Sequence, residues 1–213
     1  MTADYAWAIS GSSSSRAAGS PGATDTRARI LHATLRVIAA GGIAAVSNRR
    51  VATEAGVALG SLTYHFPNQT DLLHDTLLLY ADEEVARMEG LATAMRASAR
   101  GGVKLTDEQV AAFVEHMAAQ DSGRPEEIAE LELHLHASRD PRMQEASRRC
   151  FDAFERFAAV ILQVLDVPQP ERHARAVVAV MVGLGVRRLG TGEHHAPGTA
   201  DALMTVVRGA RGG

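Results

Sequence analysis

The 213-residue sequence predicts an all-α fold of about nine helices, and three observations carry that prediction. Residues suited to a core recur at three- and four-residue steps, as in Ile30, Ala33, Thr34, Val37 and Ile38, which fall on one stripe of an α-helix. Helix-start devices recur along the chain, among them Asn68 ahead of Asp71, Asp140-Pro141 and Pro170-Glu171. Aromatic residues make up only 4%, and no run alternates apolar and polar between turn signals as strands require. The length allows one or two domains with a sizeable core.

Residues 1–23 contain G-S-S-S-S-R-A-A-G-S-P-G and cannot pack a core, so they read as a flexible N-terminal arm with Arg16 as its sole cation. The first helix carries the Ile30–Ile38 stripe and is broken by Gly41-Gly42. Ser47 is placed to N-cap the next short helix, whose Val51, Ala52 and Ala55 share a face. Gly56 stands where a helix C-terminus needs a left-handed residue, and Val57 follows as a plug between two helices. A second short helix, Leu59 to Phe66, keeps Leu62 and Phe66 inward at i, i+4. It leaves Ser61, Thr63, Tyr64 and His65 outward, as hydrogen-bonding groups and an aromatic suited to phosphates and base edges. Pro67 stops it, and Asn68 opens the following helix with Asp71 at N3. Two short helices around a Gly-Val turn form the helix-turn-helix layout, which sets one helix in the major groove of DNA.

The rest reads as helices from Gln69 to about Ala99 (with a break near Gly90), Thr106 to Gln120, one from Pro125, Pro141 to about Asp166, Pro170 to Leu189, and one capped by Thr199 reaching about Arg208. The helix from Pro170 carries Val177, Val178, Val180, Met181, Val182, Leu184 and Val186 and is apolar nearly all round, so something must cover it. With the last helix beside it, two helices from each subunit would make a four-helix bundle, so a homodimer through about 170–189 and 199–208 is expected.

The net charge of −3 conceals an asymmetry. Residues 24–69 hold Arg27, Arg29, Arg36, Arg49 and Arg50 against Asp25 and Glu54, a surplus of three positive charges that leaves −6 on the remainder. A basic head on an acidic body suits a nucleic-acid partner. Cys150 is the sole cysteine, which excludes an intrachain disulfide and a cysteine-based zinc site. The longest apolar run, Ala176 to Val186, is too short for a bilayer, and the N-terminus lacks a signal-peptide pattern; a cytoplasmic protein with no membrane partner is expected. No nucleophile elbow, phosphate loop, paired catalytic carboxylates or zinc-protease helix is present, so no catalytic residue, cofactor or metal is assigned. Glu130, His134 and Ser138 share a helix face but read as a polar wall rather than a metal site, and His194-His195 as an exposed loop.

The stretch A-G-V-x-x-G-S-L at Ala55–Leu62, followed by Tyr64-His65-Phe66 and Asn68-x-x-Asp71-Leu72-Leu73, resembles the TetR family of bacterial transcriptional regulators. The motifs span about Thr26 to Leu79. The resemblance implies a three-helix DNA-binding domain at 24–69 joined to a larger helical ligand-binding and dimerisation domain at 70–213. It implies that the second short helix reads bases, while its aromatic and His residues and the start of the next helix grip phosphates. The expected DNA-binding set is Ser47, Asn48, Arg49, Ser61, Thr63, Tyr64, His65 and Gln69. Thr63 and Gln69 stand where the family usually has Tyr and Lys, which implies a shallower salt dependence. The family's small-molecule pocket would fall among Met88, Phe113, His116, Met117, Glu130, Leu131, His134 and Phe154, with an effector the sequence does not identify. The implied function is a repressor that binds a palindromic, double-stranded operator as a homodimer and is released by a ligand. A ligand-independent DNA binder or an activator would share every head residue, and a helical enzyme lacks any convergent chemistry.

Overall fold

The computed structural model describes residues 23–100, 105–121, 125–193 and 198–212. Among them are nine α-helices, one 3-10 turn at Ile43–Ala45 and no strand. In chain order the helices are α1 (Ala23–Gly41), α2 (Asn48–Ala55), α3 (Leu59–His65), α4 (Gln69–Arg100), α5 (Asp107–Asp121), α6 (Pro125–Ala137), α7 (Pro141–Val164), α8 (Pro170–Thr191) and α9 (Thr199–Arg211). The arm expected at 1–23 lies outside the described residues except for Ala23, which begins α1, and so does His194-His195.

The described chain divides into two compact units, one formed by residues 23–83 and 125–149, the other by 84–121 and 150–212. In the first, α1 buries Ile30, Leu31, Ala33, Thr34, Val37 and Ile38, and packs against α2, α3 and α6. Facing residues Val51, Ala52, Leu62 and Phe66 are also buried, so the i, i+3, i+4 stripe does form a core. Thr34 is tolerated there because its hydroxyl donates to the Ile30 carbonyl at 2.9 Å.

Helix α6 belongs to this unit although it begins at Pro125, well past the head in sequence. Its Glu132 Oε2 accepts the Ile43 backbone N–H at 2.6 Å. The adjoining Gly42 has φ 76° and ψ 170°, a region open essentially to glycine alone. A Cβ on Gly42 would also lie only 3.1 Å from Glu132 Oε1. The positive φ favours glycine where the chain leaves α1, and the nearby Glu132 carboxylate would have to shift for any side chain there.

The first half of α4 is held by charges from other elements of the same unit. Asp75 accepts from Arg27 at 2.5 Å, Glu83 lies 2.8 Å from His32, Asp71 accepts from Arg142 at 3.2 Å, and Asp82 pairs with Arg149. Each exposed pair contributes little, about 0–1 kcal/mol. The Asn68 cap is reciprocal: Asp71 N–H donates to Asn68 Oδ1 and Asn68 Nδ2 donates to Asp71 Oδ2, both at 2.8 Å.

No break occurs at Gly90, contrary to the sequence expectation; α4 runs unbroken for 32 residues. An interior glycine costs only about 1 kcal/mol, and burial of Met88, Ala92 and Met95 on either side keeps the segment helical. In the second unit these residues join Phe113, Phe157, Leu162, Leu203 and Val207 in one core. Helix α9 packs on α5 and α8, and Arg211 clips its end: Nη1 donates to Asp107 Oδ2 at 2.7 Å, and Nε to the Leu165 carbonyl at 3.2 Å.

Two caps differ from expectation. Thr199 is the first helical residue of α9, not its cap; Gly198 precedes it at φ 123°, and the Thr199 hydroxyl accepts from Arg188 Nη1 at 3.0 Å instead. Helix α8 does begin with Pro170, but the residue before it, Gln169, sits in the left-handed region and makes no side-chain cap.

Candidate nucleic-acid interface

Short-range rules build the two-helix unit. Ser47 is extended, and its hydroxyl accepts the Arg50 backbone N–H at 3.3 Å, capping α2. Gly56 ends α2 in the left-handed conformation, φ 63° and ψ 40°, and Val57 N–H returns to the Ala52 carbonyl at 3.0 Å. Val57 is half-buried, not the fully enclosed plug expected, with exposed Gly56 and Ala58 on either side. The inward stripe of α3 begins only at Leu62, which is wholly buried, with Phe66 after it.

That inward pair turns the remaining α3 residues outward. Thr63 is exposed, Tyr64 is 83% exposed, Leu59 is 49% exposed, and Ser61 and His65 are half-buried. The Tyr64 and His65 rings meet edge-on at 5.3 Å between centroids, so the two side chains brace each other. The Thr63 hydroxyl is bonded to the Leu59 and Gly60 carbonyls at 3.2 and 3.1 Å, so its donor is engaged within α3. Ser47 and Arg49 are exposed and Asn48 half-buried, together at the start of α2. Gln69, at the first turn of α4, donates through Nε2 to the Val46 carbonyl at 3.0 Å and steadies the loop that leads to the Ser47 cap.

The five head arginines divide by function in a way their sequence does not display. Arg29 donates to the carbonyls of Ala55 and Gly56 at 2.7 and 3.1 Å, satisfying the end of α2. Arg36 pairs with Glu54 at 2.6 Å, tying α1 to α2. Arg27 pairs with Asp75 and lies 5.3 Å over the Phe66 ring. Arg49 is exposed and has no ion-pair partner among the described residues, and the Arg50 guanidinium lies close to Gly41. The cations free to meet phosphate are those at the start of α2.

The expected pocket residues fall in both units. Met88 and Phe113 are buried in the second unit's core, with Met117 and Phe154 half-buried against it; His116 is on the exposed side of α5. Glu130, Leu131 and His134 lie on α6 in the first unit. There His134 Nδ1 is 2.5 Å from Ser147 Oγ, and its Nε2 is 3.6 Å from Glu130 Oε1. Among the described residues, no three His, Cys, Asp or Glu side chains are grouped to hold a metal ion.

Residues 30–76 match the family of bacterial regulatory proteins of the tetR type, and residues 102–211 match the tetracyclin repressor-like C-terminal domain. No curated protein matches the chain. Among solved structures, a TetR-family member from Streptomyces coelicolor A3 is 30% identical, with a TM-score of 0.63 over 86% of this chain and 96% of that one. The multidrug binding protein EbrR complexed with imidazole is 30% identical, with a TM-score of 0.60 over 85% of this chain and 93% of that one. A transcriptional regulator from Rhodococcus sp. Rha1, at 20% identity and a TM-score of 0.65 over 86% of this chain and 95% of that one, shares the fold. A capped two-helix unit, an all-helical body and matches covering both place the chain in the TetR family of transcriptional regulators, DNA-binding proteins rather than enzymes.

Proposed function

We propose that the protein is a homodimeric repressor that binds a palindromic operator and is released by a small-molecule effector. The observation that carries this reading is the uncovered strip on α8. Ala176, Ala179, Gly183, Val186 and Gly190 recur at three- and four-residue steps and are all exposed, Val186 by 50%. A Cβ on Gly183 or Gly190 would meet nothing within 4 Å, so these glycines are not there to fit this chain's own core. Gly209 of α9 is likewise open. Small residues at this spacing let a second helix approach closely, and α8 with α9 from two subunits would form the expected four-helix bundle. Two heads on a twofold axis then suit half-sites about one helical turn apart, roughly 34–36 Å.

Residues 24–69 act as the DNA-binding domain and 70–213 as the effector and dimerisation domain. In the DNA-binding domain Ser47, Asn48, Arg49, Ser61, Thr63, Tyr64, His65 and Gln69 form or support the contact surface. An apolar effector is expected beside Met117 and Phe154, where Phe151 and Phe154 stack edge to face at 6.2 Å. EbrR, which shares this fold at 28–30% identity, has been solved with ethidium, proflavin and malachite green, so aromatic cations are the first effector class to try. No helix of the described residues is long and apolar enough to cross a membrane, and a repressor of this kind acts in the cytoplasm.

The reading is tested by Val186→Asp. The variant should elute as a monomer and lose affinity for a two-half-site operator, while a single half-site still binds weakly. An unchanged dimer would overturn the assigned interface. Proflavin binding, followed by the dye's own fluorescence without DNA, tests the effector class.

A further inference from the structure

The N-terminal turn of α3 exposes residues the fold does not need. Leu59 is a large hydrophobic left 49% exposed. Gly60 is the second residue of α3, where glycine offers no side-chain packing and costs backbone entropy. Yet a Cβ there would meet nothing within 4 Å, and its φ is not in the left-handed region. Nothing within this unit accounts for either residue. Thr63 is one helical turn past Leu59, and its hydroxyl is bonded back to the Leu59 and Gly60 carbonyls. The side chain therefore has chiefly its methyl to offer a partner. Leu59, Gly60 and Thr63 thus make a small apolar patch with a bare backbone in its middle, on the second helix of the two-helix unit.

We propose that Leu59, with the Thr63 methyl, reads the C5-methyl of a thymine in the operator's major groove, and that Gly60 lets the backbone come close enough for that contact. The inference rests on the operator-binding reading above. The chemistry is selective, because among the four bases only thymine carries an apolar group on its major-groove edge. Polar readers such as Arg or Asn are absent from these three positions, so specificity here comes from methyl burial and shape. Tyr64 and His65, one turn farther on, remain available for phosphates.

The test begins with selection of an operator from a random duplex pool by the full-length protein, followed by replacement of each thymine with deoxyuridine, which removes only the methyl. One substitution in each half-site removes two methyl contacts from the dimer and should weaken wild-type binding about ten- to twentyfold, about fourfold for each buried methyl group. The same substitution should leave Leu59→Ala affinity nearly unchanged, because the variant has already lost the partner. Gly60→Ala should lose operator affinity while melting at or above the wild-type temperature. Equal sensitivity to uracil in wild type and Leu59→Ala would overturn the proposal, as would wild-type affinity in Gly60→Ala. A pool that enriches no sequence would overturn the operator-binding reading itself, and this inference with it.

Discussion

Neutralising Arg49 should change how DNA binding responds to salt, whereas neutralising Arg36 should not. Both are exposed arginines of the head and are indistinguishable by charge. Arg36, however, is spent on Glu54 at 2.6 Å, while Arg49 has no ion-pair partner among the described residues. Each phosphate neutralised by the protein contributes about 0.9 to the slope of log K against log salt. Arg49→Ala should therefore flatten the slope by about one per protomer, or about two for a dimer on both half-sites. Over a fourfold rise from about 50 to 200 mM salt, each lost contact removes about 3.5-fold of the wild-type affinity decline. Arg36→Ala should keep the slope and instead lose up to about 1 kcal/mol of stability, the range for an exposed pair. Fluorescence anisotropy on the selected operator across that salt range reads the slopes, and urea melts read the stability. The partition of the arginines is refuted if Arg36→Ala flattens the slope as much as Arg49→Ala, or if Arg49→Ala leaves it unchanged.

Gly42→Ala should be destabilised by about 1–3 kcal/mol, since φ 76° and ψ 170° admit no side chain comfortably; thermal melts should show about 2–4 °C lost per kcal/mol. Glu132→Ala would relieve the 3.1 Å contact but leave the backbone strain and remove the acceptor of the Ile43 N–H, so the double variant should stay below wild-type stability. The Asp107 carboxyl is held below its ordinary value of 3.8, first by the hydrogen bond from Arg211. Because the folded pKa is depressed, the clip's stability is present above the unfolded pKa and lost as pH falls through the folded one. Asp107→Asn should cost at most about 1 kcal/mol at neutral pH, and acid melts of wild type should converge on those of the variant. Tyr64→Ala and His65→Ala should each weaken operator binding with the dimer intact by gel filtration; unchanged gel-shift affinity in both would remove α3's aromatic end from the DNA surface.

Much of the head is legible from local rules. Ser47 caps α2, Gly56 turns left-handed after it, Leu62 and Phe66 face inward and Asn68 opens α4, because each outcome depends on sterics and hydrogen bonds within a few residues. Gly90 shows the limit of such rules. A local breaker signal lost to burial of its neighbours along α4. Thr199 shows another: a good capping residue is drawn off by Arg188, from a different helix.

The amino-acid sequence by itself determined the helical class, the order of elements and the outward set on α3, all of which follow from periodicity and short-range capping. Tertiary structure alone decided which cations are free, because Arg29 is claimed by carbonyls 26 and 27 residues away and Arg27 by a carboxylate 48 away. It alone brought Glu132 onto the Ile43 N–H across 89 residues and put Glu130, Leu131 and His134 in the head's own unit. The physical reason is the same in each case. A pattern along the chain records which face of a helix is buried, but the partner across that face is chosen by how helices pack, and the spacing of residues carries no trace of it.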